Sequence, residues 1–421
     1  NNTFIGGLAG DANTTASNNT AVGFASLTAN TTGTVNTAVG ENSLPANTTG
    51  SANSAFGVGS LYVNTTGDYN TAIGRSALVA NTTADYNAAV GSSALASNTT
   101  GNQNAALGYF AGEGNTEGIK NTFLGTYAAW KNTTASENTA VGYAALAQNI
   151  TGTGNTAIGA IALDAITTST DNTAVGHQAL TNASSGAGNT AVGKATMTAV
   201  VTGSNNTAVG RYALNANTSA SNNVAVGINA LVTNSTGANN TAVGGEALAA
   251  NTTASSNTAV GYEALNDNTT GEHNTAVGIF ALAKATTGVS NTSIGRNANG
   301  LQETGHRNTS VGVAAAYLGT AANDNTSIGY QAGRNITTSE SVFVGKEAGM
   351  NATTGYHHII IGCNAQPNAS NSNTENVIGH GVTGIGSGYN TLGGNSNRTY
   401  NQQGSASWSG TSDQRLKTDV V

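Results

Sequence analysis

A chain of 421 residues would ordinarily build two or three globular domains with about a quarter of its residues charged, but here only 8% are charged, 5% are aromatic and 56 residues are glycine. The 13 Lys and Arg are scattered and the net charge is -7, which argues against nucleic acid as a partner, because phosphate binding needs concentrated positive charge. No apolar run is long enough for a transmembrane helix, and Cys363, the only cysteine, excludes an intrachain disulfide.

Taken in order, the chain opens in mid-repeat at Asn1, without Met or a signal-peptide pattern, so it reads as a piece of a longer protein whose N-terminal attachment domain is not included. The degenerate unit Asn2-Thr3-Phe4-Ile5-Gly6 leads to Asn19-Thr20-Ala21-Val22-Gly23, and the pattern then returns every 17 residues through Ile328. A one-residue deletion precedes three looser copies at Val344-Gly345, Ile361-Gly362 and Ile378-Gly379, making about 23 in all. So strict a period means one supersecondary unit stacked many times. Two prolines and this regular Val and Leu spacing separate the chain from disordered polar sequences.

The full unit is close to N-T-A-V-G-x-x-A-L-x-x-N-T-T-G-x-x. Its glycines and the lack of apolar residues at helical spacing exclude a helical repeat. Alternation places Thr20 and Val22 on one face and Ala21 on the other. The expectation is that Val packs inside against a second apolar column, Leu27, Leu44, Leu61 and their equivalents, while Ala allows close approach of another backbone. The invariant Gly marks a turn with positive φ or a close backbone contact, and Asn-Thr-Thr-Gly is turn chemistry. Each rung then holds two short strands and two turns, with Asn19, Asn36 and Asn70 stacked in a hydrogen-bonded ladder.

The fold class expected is all-β, a parallel β-solenoid over residues 1–379, on the order of 110 Å long at about 4.8 Å per rung. One Val and one Leu per rung are a thin core against about 1 to 2 kcal/mol of ordering entropy per residue. This predicts association, most simply a parallel homotrimer burying the Ala face. Residues 380–411 form a Gly-, Ser- and Asn-rich tip with Tyr389, Tyr400 and Trp408 as receptor-binding candidates or as the rings of a closing cap.

Sequons at Asn13, Asn30, Asn47, Asn64, Asn81, Asn98, Asn132, Asn149, Asn217, Asn234, Asn251 and Asn268 are possible glycosylation sites in a secreted protein. In a phage protein the same column is turn-forming Asn and Thr, and that is the reading favoured here. Neighbouring His357 and His358 point to opposite faces of a strand, so no metal site is expected and no cofactor is implied. Asp and Glu fall at variable positions, giving no carboxylate pair at hydrolase spacing. Trp130 reads as a single substitution within a repeat.

The Asn-Thr-Ala-Val-Gly rung resembles the repeats in head domains of trimeric autotransporter adhesins over residues 1 to about 379. The resemblance implies a left-handed β-roll with three chains side by side; because this rung is longer than that family's, a triangular left-handed β-helix is the alternative. Residues 412–421, beginning Ser412-Asp413-Gln414-Arg415-Leu416-Lys417-Thr418-Asp419-Val420, resemble the start of the intramolecular chaperone domain of phage tail spikes, tail fibres and endosialidases. That likeness implies chaperone-assisted trimerisation and self-cleavage before the serine, with Ser412 as nucleophile and Lys417 as its base. A serine hydroxyl needs such a base, and a desolvated lysine can serve.

Together these readings predict a phage tail fibre or spike shaft, located on the virion and attaching to a host-surface receptor, most simply a glycan. It would lack enzymatic activity apart from self-cleavage, and would not insert in a membrane. The alternatives are an extracellular adhesin or glycosylated fibril of a cell, and a polysaccharide depolymerase spike.

Overall fold

The computed structural model describes residues 1–200, 202–394 and 397–410. Among them the only regular elements are strands, and these form a parallel β-solenoid of about 23 turns with 17-residue rungs, as the period predicts. The chain divides into two units, Asn1–Ser219 and Ala220–Val421. In the first, β1 (Thr3–Ile5) pairs in parallel with β2 (Thr20–Val22), with Thr3 opposite Thr20 and Ile5 opposite Val22. This one-rung register repeats as far as β13 (Thr207–Val209). In the second, parallel pairing runs from β14 (Val224–Val226) through β23 (Asn376–Ile378) to β24 (Tyr389–Gly393). The 17-residue period breaks after Gly379, yet the ladder gains one further parallel strand before β25 (Arg398–Gln402) and β26 (Ser409–Gly410) add in antiparallel fashion.

Each rung contains one three-residue strand, not the two anticipated. The leucine segment is a tight turn, with Ala25 and Leu27 both at φ 53. A left-handed residue with a Cβ costs about 1 to 2 kcal/mol, and the turn is held by bonds to both neighbouring rungs. Leu27 N–H donates to the Ser43 carbonyl at 3.0 Å, and Ala25 N–H to the Gly7 carbonyl at 2.9 Å. Backbone ladders thus run through strand and turn alike. The strand glycine is needed on two counts: Gly23 sits at φ +137, and a Cβ there would lie 2.5 Å from the Gly40 carbonyl oxygen of the next rung.

The facing of the strand is opposite to that expected. Ala21, Ala38 and Ala55 are fully buried against Leu27, Leu44 and Leu61, whereas the flanking Thr and Val positions face outward. A 17-residue rung encloses too little width for Val and Leu together, so the small residue goes inside. The exceptions obey the same volume rule. Where Phe123 replaces the strand alanine, the leucine positions of its own rung and the preceding one hold Ala129 and Gly112, and a Cβ on Gly112 would run into the Phe123 ring. Phe343 is likewise flanked by Gly333 and Gly349, and Phe4 by Gly10. Because the Ala face is the interior, it cannot be the surface through which copies associate.

Two asparagine ladders fill the rest of the interior. In the first, Asn36 N–H donates to Asn19 Oδ1 at 2.8 Å, and Asn36 Nδ2 donates to the Gly50 carbonyl at 2.8 Å. In the second, Asn47 Nδ2 donates to Asn30 Oδ1 at 2.9 Å and to that same Gly50 carbonyl at 2.8 Å. A buried amide without partners costs about 1 to 3 kcal/mol; Asn36 and Asn47 find bonds within and between rungs, which keeps the polar core stable.

Candidate functional site

With the constant Ala, Leu and Asn columns turned inward and the constant Thr and Val columns repeating one surface along the strand face, local chemistry on the shaft has to come from the positions where the repeat varies. Numbering each rung from its strand-flanking asparagine, these are positions 6, 7, 10 and 11, beyond the strand glycine, and positions 16 and 17, before the next asparagine. The two groups make different surfaces.

Positions 16 and 17 serve the ladder. Asp68 Oδ1 accepts the Ser51 N–H at 2.7 Å, Asp85 Oδ1 accepts that of Asp68 at 2.7 Å, and His306 Nδ1 accepts that of Val289 at 3.0 Å. This explains the short polar residues at position 16. Position 17 adds contacts between adjacent rungs: Tyr69 stacks on Tyr86 at 5.1 Å, Lys120 meets Glu137 at 3.7 Å, and Arg307 bonds Asp324 at 2.6 and 2.8 Å. Such exposed ion pairs add little stability each.

Positions 6, 7, 10 and 11 form a cleft. Tyr109 and Phe110 come from one rung, Tyr127 and Trp130 from the next, and Tyr143 from a third. Their rings meet in sequence. Tyr109 is 4.3 Å from Phe110 and 5.8 Å from Tyr127, while Tyr127 is 5.8 Å from Trp130 and 6.3 Å from Tyr143. With Ala144, Ala147, Gln148 and Asp164 they line a cleft of about 550 Å³. Despite this packing Tyr109 and Tyr143 remain 47% and 56% exposed. Asp164 is the lining's one charged group, and burial pushes its carboxyl above the usual carboxylate range.

No family model, no curated protein and no solved structure matches this chain. Function therefore has to be read from the residues themselves.

Of the residues expected to act at the tip, Tyr389 on β24 and Tyr400 on β25 are half-buried and pack edge to face at 6.3 Å. That pair serves the packing of the antiparallel extension. Trp408, just before β26, is 50% exposed and is the one tip ring with a free face. Ser412 and Lys417 lie outside the described residues. The sequon asparagines are placed against glycosylation. Asn30, Asn47, Asn64, Asn81, Asn98, Asn132, Asn149, Asn217, Asn234, Asn251 and Asn268 are fully buried, and Asn13 is half-buried. The amide nitrogen that would carry a glycan is an interior ladder donor, as Asn64 Nδ2 is toward Asn47 Oδ1 at 2.9 Å. His357 faces outward and bonds Glu340 at 2.6 Å, while His358 is buried in the ladder position usually held by asparagine.

The aromatic cleft is not visible from Trp130 alone, because its rings are spread over three rungs of the sequence. Folding the sequence on its own period would have found it: Phe110 and Tyr127 are one rung apart, and Tyr109 and Tyr143 are two.

Proposed function

We propose that this chain is the shaft of a phage tail fibre or tail spike that carries a host-attachment surface. The observation that carries the reading is the sequence Ser412 to Val420, which resembles the opening of a fibre-trimerising chaperone and lies C-terminal to the long repeat region and the tip region 380–411. A solenoid whose every interior position is spent on packing and ladders suits a spacer, since length is set by rung number alone. The buried sequon column argues against the alternative of a glycosylated fibril.

In this reading three chains associate through the outward strand face, where the Thr and Val columns lie and where Ile73, Leu107 and Ile158 are each at least 40% exposed. A continuous apolar column of this kind is an interaction surface. The chaperone then cuts itself away: Ser412 Oγ attacks the Thr411 carbonyl as Lys417 accepts the hydroxyl proton, and the Thr411–Ser412 peptide bond breaks with the Ser412 amine as leaving group. Water hydrolyses the resulting ester, leaving a trimer that refolds poorly and is kinetically durable. The virion surface is the expected location and a host-cell glycan the expected receptor.

Expression of the complete reading frame tests this. Wild-type precursor should be processed before Ser412, and Ser412→Ala should remain full length. The mature fibre should scatter light as three times the mass of its own processed chain. Unchanged processing in the variant, or a monomeric shaft, would remove the assignment.

A further inference from the structure

We propose that the cleft formed by Tyr109, Tyr127, Trp130, Tyr143, Gln148 and Asp164 is a binding site for a neutral saccharide, on the side of the solenoid and apart from the tip. The proposal does not depend on the fibre assignment.

The first argument is the cost of the rings. Five aromatics from three consecutive rungs converge in a chain that is only 5% aromatic. The interior is complete without them, and Tyr109 and Tyr143 stay about half exposed. Contiguous exposed aromatic surface of this kind marks a binding site more often than a packing need. Successive rungs present a ring at each step of about 4.8 Å. The apolar C–H face of a pyranose can lie against such a ring, and the ladder supplies several rings in a row.

The second argument is the polar complement. Asp164 offers carboxylate acceptors, Gln148 both a donor and an acceptor, and the tyrosine hydroxyls both roles. Vicinal hydroxyls of a sugar need this mixture. The lining includes no Lys or Arg; Lys131 lies over the Trp130 ring at 5.6 Å, and Asp164 as the lining's one charged group repels anions, so phosphates and acidic sugars are disfavoured. That carboxylate has shed part of its hydration, which favours hydroxyl donors from a ligand. The volume of about 550 Å³ falls in the range of roughly 300 to 1,000 Å³ typical of small-ligand sites.

A cleft in the second unit uses the same positions of the rung. Phe280, Tyr317, Glu263, Asn297 and Lys284 line a space of about 340 Å³, with two rings in place of five beside a carboxylate and an amide. The lysine beside them, Lys284, is engaged by Asp267 at 2.8 Å. The combination therefore recurs on a different stretch of the chain.

The protein has two tryptophans, Trp130 and Trp408, which gives a direct probe. In the full chain carrying Trp408→Phe, Trp130 is the only tryptophan, and its emission is titrated with maltohexaose, cellohexaose, chitohexaose and mannohexaose. Choline and inorganic phosphate serve as comparison ligands. We expect saturable change with at least one of the four saccharides, and Tyr143→Ala or Asp164→Ala to weaken it by about tenfold or more. Gln148→Ala gives a third variant should either fail to fold, judged by an unchanged melting temperature. No response to any of the four saccharides, a response confined to choline or phosphate, or saccharide binding indifferent to these substitutions would overturn the proposal. Adsorption of the fibre to host cells is scored separately, so loss of the attachment reading shows as absent adsorption with the titration intact.

Discussion

The pairing of Phe123 with Gly112 and Ala129 can be tested as a volume exchange. Truncating a buried phenylalanine to alanine costs about 3 to 5 kcal/mol, and Phe123→Ala should lie in that range because the ring is fully buried. Gly112→Leu alone should also destabilise, by about 1 to 3 kcal/mol or more, since the new Cβ meets the ring of Phe123 and lies 3.0 Å from Leu95 Cδ2. Backbone conformation is no obstacle: Gly112 is at φ +60, and the leucines of standard rungs sit near this value, as Leu95 does at φ 50. Combining the two changes restores the standard Ala and Leu pair in the rung that begins at Asn104, and adding Ala129→Leu restores the next. Denaturant midpoints followed by circular dichroism should show the double variant more stable than either single one, and the triple variant close to the parent. The coupling expected is about 2 to 3 kcal/mol in favour of the combination. Simple additivity of the single losses would refute the claim that interior width is the quantity the rungs hold constant.

Further outcomes follow from the ladders and turns. Asn47→Ala should destabilise by about 1 to 3 kcal/mol, because Asn30 Oδ1 loses its donor while the Gly50 carbonyl keeps Asn36. Asn47→Asp should be worse at neutral pH than at pH 3, because an ionised carboxylate would face the Asn30 oxygen; both read out as melting temperature. Val35 is β-branched, 56% exposed and at φ 61, so Val35→Asn or Val35→Gly should raise the melting temperature, by an equivalent of about 0.5 to 1 kcal/mol. His358 has its pKa lowered by burial, against the opposing pull of the nearby Glu375 carboxylate. The folded state then takes up its proton later than the unfolded chain, whose histidine titrates near about 6.5. Its stability contribution is complete above that pH and is lost as pH falls below it. His358→Asn, which restores the usual ladder residue, should flatten the melting temperature between pH 7 and 5.

Most of the architecture was legible because a strict 17-residue period leaves few alternatives to stacking, and the stacked asparagines, the turn at Asn-Thr-Thr-Gly and the need for glycine at Gly23 all follow from residue chemistry. The facing of the strand did not follow. Periodicity of two separates Val22 from Ala21 but does not say which is inside, and hydrophobicity favours Val. What decides is the width of the rung, a quantity visible in the sequence only through its compensations: Gly10 with Phe4, Gly112 with Phe123, Gly333 and Gly349 with Phe343. Those three exceptions carried more information about the interior than the regular copies. The inward facing of the sequon column was hidden for a related reason, since Asn30 and its equivalents are polar side chains consumed inside the fold.

The same separation bears on where function can reside. A fold that fixes positions 1, 3, 8, 9, 12 and 15 as interior and position 5 as a glycine turn leaves selection free to act on positions 6, 7, 10 and 11. A change there alters the surface without altering the ladder. Residues far apart in sequence become neighbours at one-rung intervals, so a site needs no inserted loop: Tyr109, Tyr127, Tyr143 and Asp164 are contributed by four rungs with no change in rung length. A chain whose regularity seems to exclude a binding site can thus hold one wherever variable positions on adjacent rungs are matched. The aromatic cleft is the place on this chain where that matching is densest.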